Sequence, residues 1–341
     1  MDKINLLALG YEGLEKFMED MGLGRYRAAQ VARWIYVGGL ASFDGMTNIS
    51  KADRELLAGK AVIRPPELIK RQVSSDGTEK FLFLLDDGEE IESVLIPEED
   101  RVTLCISSQA GCVLGCRFCL TGSGGFRRNL LPHEIAGQAL AAIKLISPRD
   151  ITNYVLMGMG EPLMNVNNVI EALRRMTSPK MLGISTRRIT LSTAGVIPGI
   201  NALAESGLGI NLAVSINAPN DEIRLGIMPV DKKYPLRELI KALKAYPLAP
   251  RRRITIEYVM LKGINDGVKH AKELAVLLRG LRCKVNLIPF NEHEGSPYKR
   301  PDTGAVHAFQ KALAEKNYTA FIRDSRGADI LAACGQLRAG S

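Results

Sequence analysis

The run Val102-Thr-Leu-Cys105-Ile-Ser-Ser-Gln-Ala-Gly-Cys112-Val-Leu-Gly-Cys116-Arg-Phe-Cys119 decides the fold. Residues 102–107 read as a short strand, and the loop after it carries three of the chain's six cysteines at C-x3-C-x2-C spacing. No fourth cysteine follows closely. A structural zinc site closes its shell with four ligands, and neither Cys283 nor Cys334 has a cysteine or histidine nearby to supply a second pair. A disulfide framework belongs to small secreted chains; this chain has 341 residues, and Met1-Asp-Lys-Ile-Asn lacks a signal-peptide pattern. Three buried structural thiols are the plain alternative. Thiolates on a loop bordered by Gly111, Gly115 and Gly122 suit an iron–sulfur cluster better, because crowded sulfurs need backbone without side chains. Three ligands on four irons leave one iron open to bind and activate a ligand.

Working outward, strand and helix alternate from about residue 102. Strands are expected at 102–107, 151–157, 188–192, 210–216, 253–259 and 283–288, with a weaker one at 318–322. Helices fill the gaps, such as Pro132 to Ile146, with proline at a permitted first position. Strand–helix repeats argue for an α/β fold with a parallel sheet, here a partial (β/α)6 barrel. The cysteine loop then lies at a strand's C-terminal end, the rim where barrels place their chemistry. Met157-Gly-Met-Gly-Glu-Pro162, Leu191-Ser-Thr-Ala-Gly195, Ser215-Ile-Asn217 and Pro289-Phe-Asn291 end other strands on that rim. Singly they are turn residues; together they suggest a ligand across the mouth.

Upstream, residues 1–65 read as a small helical domain and 66–100 as an antiparallel β extension turning at Asp76-Gly77 and Asp86-Asp87-Gly88. Residues 101–341 form the core. Composition is that of an ordinary globular chain, 46% hydrophobic and 24% charged. No stretch approaches a bilayer span of about 20 apolar residues. Free cysteines and no targeting segment predict a cytoplasmic protein. A net charge of +8 permits nucleic-acid binding without proving it. Arg25, Arg27 and Arg33, and the run Arg251-Arg252-Arg253, are candidate RNA contacts, although such runs are usually solvated turns. Cys283 reads as a packing residue, and the four histidines show no metal-ligand spacing.

The cysteine loop after the first strand, with Gly160-Glu161-Pro162 ending the second, resembles the radical S-adenosylmethionine superfamily. Three further features resemble its RlmN/Cfr family of RNA adenosine methyltransferases over nearly the whole chain. They are Cys105 seven residues before the loop, Asn129 after Gly124-Gly-Phe-Arg-Arg128, and Ser325-Arg-Gly-Ala-Asp-Ile-Leu-Ala-Ala-Cys334-Gly-Gln-Leu337. The resemblance implies one [4Fe-4S] cluster on Cys112, Cys116 and Cys119, with S-adenosyl-L-methionine on its open iron. Glu161, Pro162, Ser192, Ser215, Ile216, Asn217 and Asn291 would line that cofactor, and Phe118 could pack on its adenine.

It also implies roles for two other cysteines. Cys334 would take a methyl group from one S-adenosylmethionine; a deoxyadenosyl radical from a second would activate that methyl for addition to adenine. Cys105 would resolve the protein–RNA adduct by forming a transient disulfide with Cys334. Glu92 matches the family's proton acceptor, with Cys105 itself as the other candidate base. The implied substrates are adenosine 2503 of 23S ribosomal RNA and adenosine 37 of transfer RNA, methylated at C2. A reducing donor such as flavodoxin and a monomeric state are expected, with no membrane partner. C8 methylation, another radical reaction and a non-catalytic electron carrier remain alternatives.

Overall fold

The computed structural model describes residues 3–147 and 150–339. A ten-stranded sheet runs through the core. Its strands are β1 (Glu67–Val73), β2 (Glu79–Leu84), β3 (Glu90–Pro97), β4 (Val102–Cys105), β5 (Asn153–Leu156), β6 (Ile189–Thr193), β7 (Asn211–Ser215), β8 (Ile254–Met260), β9 (Cys283–Pro289) and β10 (Ala320–Ile322). Each lies beside its chain neighbour. From β4 to β10 every pairing is parallel, so the weak candidate at 318–322 adds a seventh parallel strand to the six expected. β1 and β10 are the edges, so the wall is open rather than closed. The β extension is part of the same wall, because β3 pairs antiparallel with β4.

Alternation along the parallel strands separates two faces. Leu212, Val214, Ile256, Tyr258, Val285 and Leu287 belong to the apolar core under the helices, with the Tyr258 ring 5.1 Å from Phe309. The opposite face carries polar residues in register: Ser215 beside Glu257 beside Asn286, and Thr255 beside Lys284. A lumen lined this way is built to hold a polar ligand rather than to be filled by side chains.

Helices form at Tyr11–Asp20, Arg27–Tyr36 and Lys51–Lys60 in the N-terminal part. Leu14, Phe17 and Met18, and Ala28, Val31, Ala32 and Ile35, recur at helical spacing and bury one face of each. Ser50 caps the third helix by accepting from the Asp53 N–H at 3.1 Å. These side chains make a second core, which Leu140 of the helix Pro132–Ile146 joins. Buried Arg175 bridges the two parts by donating to the carbonyls of Leu7 (2.9 Å) and Ala8 (3.3 Å). Among the described residues, no helix is long and apolar enough to cross a membrane.

Candidate active site

The cysteine loop leaves β4 and is shaped by glycine. Gly111 and Gly115 have φ of +77° and +61°, where side chains are disfavoured. A Cβ on Gly122 would lie 3.0 Å from the Cys116 nitrogen. The Cys112 N–H donates to the Gly125 carbonyl at 2.9 Å, closing the loop on its own continuation. Cys112, Cys116 and Cys119 are partly buried free thiols that feel one another electrostatically. Burial first, and then the neighbouring thiols, push Cys112 up to about 12 and Cys116 further still. Among the described residues no three His, Cys, Asp or Glu side chains close on one point, as a single metal ion demands. Three thiols on one glycine-shaped loop are the donor type that holds an iron–sulfur cluster.

Glu161 stands beside this loop, acting electrostatically on Cys112 and Cys116. Its carboxylate accepts the N–H of Ala194 at 2.7 Å and of Leu163 at 3.0 Å. Burial raises its pKa, and these bonds and the Thr193 hydroxyl oppose the rise. Pro162 is buried behind it. Ser192 and Ser215 face the lumen, half-buried. Ile216, by contrast, is fully buried in the helix-covered core. Both polar ends of Asn217 are used by the fold: Oδ1 accepts from the Val259 N–H at 2.8 Å, and Nδ2 donates to Met228 Sδ at 3.2 Å. Phe118 lies in an apolar wall with Ala194, Met228 and Phe290, against which Cys116 and Cys119 pack.

The C-terminal segment, residues 325–338, is laced across the mouth. The Gly335 carbonyl accepts from Leu120 N–H at 2.7 Å, and the Leu337 carbonyl from Thr121 Oγ1 at 2.5 Å, both beside Cys119. Asn291 Nδ2 donates to the Cys334 carbonyl at 3.0 Å. From the β extension, Asp76 accepts the Gly327 N–H at 2.9 Å and Lys80 donates to the Leu331 carbonyl at 3.4 Å. Cys334 thereby comes within electrostatic reach of Cys119, Glu257 and Cys105. Its surface is open to solvent although protein density around it is that of an interior. A concave mouth gives both, and the open surface governs what can reach the sulfur, while burial raises the thiol's pKa. Cys105 is buried, and burial pushes it up to about 12 against a hydrogen bond from the Met157 N–H.

Glu92 could have been a solvent-facing strand residue; it is buried. Val94 lies opposite both Cys105 and Lys80, so Glu92, two residues away, shares their face of the sheet. Its Oε1 is 3.0 Å from Lys80 Nζ, and its Oε2 accepts the Arg338 N–H at 2.8 Å. Sequence reasoning missed Lys80 and Glu257. Glu257 is the lone charged residue of its strand, and that signal was available. Burial raises it to about 7, opposed by the hydrogen bond from Asn286 Nδ2 at 2.9 Å. The arginine run lies elsewhere: it precedes β8, on the rim opposite the cysteines, where Arg252 braces the Gly209 carbonyl at 2.8 Å and Arg253 the Thr319 hydroxyl at 3.2 Å. Arg25 and Arg27 pair with Glu15 and Asp53.

Comparison with known proteins agrees with this geometry. Residues 4–63 match the ribosomal RNA large subunit methyltransferase N-terminal domain, and residues 106–275 the radical SAM superfamily. The dual-specificity RNA methyltransferase RlmN of Syntrophus aciditrophicus is 50% identical over 99% of this chain and 97% of its own. The chain belongs to the RlmN family. The RlmN of Marinobacter nauticus is 48% identical over 98% of this chain and 93% of its own. A radical SAM methyltransferase from Sphaerobacter thermophilus superposes with a TM-score of 0.94 at 41% identity, covering 98% and 99% of the two chains. As a member of the RlmN family the chain is a radical SAM RNA methyltransferase, with a [4Fe-4S] cluster and S-adenosyl-L-methionine as cofactors.

Proposed function

We propose that the chain methylates C2 of adenosine 2503 in 23S ribosomal RNA and of adenosine 37 in transfer RNA. The observation that carries this reading is the course of the C-terminal segment across the mouth: it bonds the Cys334 carbonyl to Asn291 and the Arg338 N–H to Glu92, which shares a sheet face with Cys105. Adenine C2 is not nucleophilic, so the methyl group cannot reach it by direct displacement. The cysteine loop, Cys112, Cys116 and Cys119, holds the cluster, which with bound S-adenosylmethionine supplies one-electron chemistry at carbon.

Cys334 holds the methyl carbon as a thioether, its thiolate having displaced it from a sulfonium. Once that carbon is joined to C2, Glu92 accepts the C2 proton and the C–H electron pair returns to the ring, while the one surplus electron of the radical adduct would pass back to the cluster, leaving a closed-shell thioether. Cys105 then attacks the Cys334 sulfur. An S–S bond forms and the S–C bond breaks; its electron pair stays on the carbon, which takes a proton to become the methyl group. Lumen residues Glu161, Ser192, Ser215 and Asn291 orient the cofactor. The helical part, residues 1–65, receives the RNA, with residues 66–100 as a wall and 101–341 as the catalytic body. A monomer in the cytoplasm, reduced by a flavodoxin-type donor, completes the reading.

The test is anaerobic turnover with ribosomal RNA, locating the methyl group by mass spectrometry of digested nucleosides. Wild type should give 2-methyladenosine, Cys334→Ala none, and Cys105→Ala a covalent protein–RNA adduct. Finding 8-methyladenosine alone, or normal turnover by Cys334→Ala, overturns the reading.

A further inference from the structure

The fold treats two adjacent arginines oppositely. Arg128 is saturated, bound to Asp87 at 2.5 and 2.9 Å and to Glu134 at 2.8 Å. Arg127 is exposed and has no ion pair or side-chain hydrogen bond among the described residues. A β-bulge makes the difference. In the ribbon that Gln109–Gly111 forms with Phe126–Asn129, Ala110 pairs with Arg128 and Gly111 with Phe126, so Arg127 is the extra residue. Bulges re-aim side chains and recur beside active sites. Gly111 is needed at this point: a Cβ there would lie 2.0 Å from the Gly125 oxygen.

Arg127 lines a cavity of about 350 Å³, within the range of small-molecule sites. The cavity reaches both halves of the reaction site. Gly111 and Thr121, also in its wall, flank the cysteine loop. Met159 and Arg338 line it too, and both are bonded to Glu92: its N–H donates to Met159 Sδ at 3.3 Å, and its Oε2 accepts the Arg338 N–H. The cavity wall thus touches the ends of the cluster loop and two residues bonded to Glu92. Next to the bulge, Phe126 is 44% exposed, between lining residues Gly125 and Arg127. Glu89 and Glu90 line another part of the wall, where they repel phosphate and can accept from an exocyclic amino group.

We propose that this cavity receives the target nucleotide of the RNA, with Arg127 on its backbone phosphate and Phe126 stacked on a neighbouring base. The assignment rests on the reading above, in that Glu92 marks where C2 must come. A nucleotide worked on by an enzyme leaves its stack, and the exposed aromatic compensates its neighbour for the lost contact. Phosphate contacts give affinity and salt dependence; aromatic stacking gives affinity alone.

The test titrates cluster-loaded enzyme with a 23S ribosomal RNA fragment carrying the target adenosine, by fluorescence anisotropy over a range of salt. Arg127→Gln should weaken binding roughly tenfold and lower the salt slope by about one. Phe126→Ala should weaken it roughly tenfold with the slope unchanged, and Phe126→Trp should restore it. Both variants should bind S-adenosylmethionine as wild type does. An Arg127→Gln protein with wild-type affinity and slope overturns the proposal, as does one that loses S-adenosylmethionine along with RNA. Nucleoside analysis of wild type separates the two readings. Methylation at C8 with RNA binding still lost in Arg127→Gln removes the C2 assignment alone. Methylation at C2 with Arg127→Gln unaffected removes the pocket alone.

Discussion

Replacing Lys80 with methionine tests the ion pair that holds the proposed base. Lys80 and Glu92 have side chains only 9% and 6% exposed, with Nζ and Oε1 3.0 Å apart. Removing one partner of a buried pair leaves a stranded charge and costs about 3–5 kcal/mol. Glu92 keeps the Arg338 N–H on its other oxygen at 2.8 Å, which places the expected loss near the lower end, about 3 kcal/mol. Lys80→Met also gives up the bond to the Leu331 carbonyl, so the C-terminal segment should loosen. In Lys80→Met/Glu92→Gln no charge is stranded, and about 2 kcal/mol should return. Urea unfolding of the cluster-free protein, followed by far-ultraviolet circular dichroism, measures the cycle. A cost below about 1 kcal/mol for Lys80→Met, or simple addition of the two substitutions, would refute a stabilising buried pair.

Other consequences are quicker to check. Gly111→Ala places a Cβ 2.0 Å from the Gly125 oxygen at a φ of +77°, so the loop must shift; iron bound after reconstitution should fall to a small fraction of wild type. Glu257 is raised by burial to about 7, so the folded state binds a proton that the unfolded chain releases nearer its ordinary value. Its contribution is therefore favourable at low pH and is lost as pH rises through about 7. Glu257→Gln should remove this dependence and stabilise the protein by about 3 kcal/mol at pH about 8, read from thermal midpoints at pH about 5 and 8. Cys334 is exposed whereas Cys105 is buried, so iodoacetamide should alkylate Cys334 several-fold faster in peptide mass spectra. Equal rates would mean that the mouth is closed to solvent.

The strand positions were legible because parallel strands between helices keep a short apolar period, and the helix Pro132–Ile146 was legible from its proline start. The cysteine loop was legible because three thiols and their glycines are local in sequence. Lys51–Lys60 is harder to read: only Leu57 of that helix is buried, so its apolar face leaves little pattern. A strand-end motif does not say how far each side chain is exposed: Ile216 is fully buried, whereas Ser215 beside it is half-buried on the lumen face.

Sequence alone therefore determined the chemistry's raw materials: a three-thiolate loop at a strand end, a distant cysteine near the C-terminus, and the fold class that joins them. Tertiary structure decided what stands beside what. The antiparallel strands continue the parallel wall, so Glu92 and Lys80 share a face with Cys105, and the C-terminal segment that carries Cys334 crosses the mouth, bonded to Lys80 through Leu331 and to Glu92 through Arg338. It also divided Arg127 from Arg128, giving one to ion pairs and the other to a cavity. The reason is physical: spacing along the chain records covalent neighbours, whereas register, bulges and burial arise only when the strands pair.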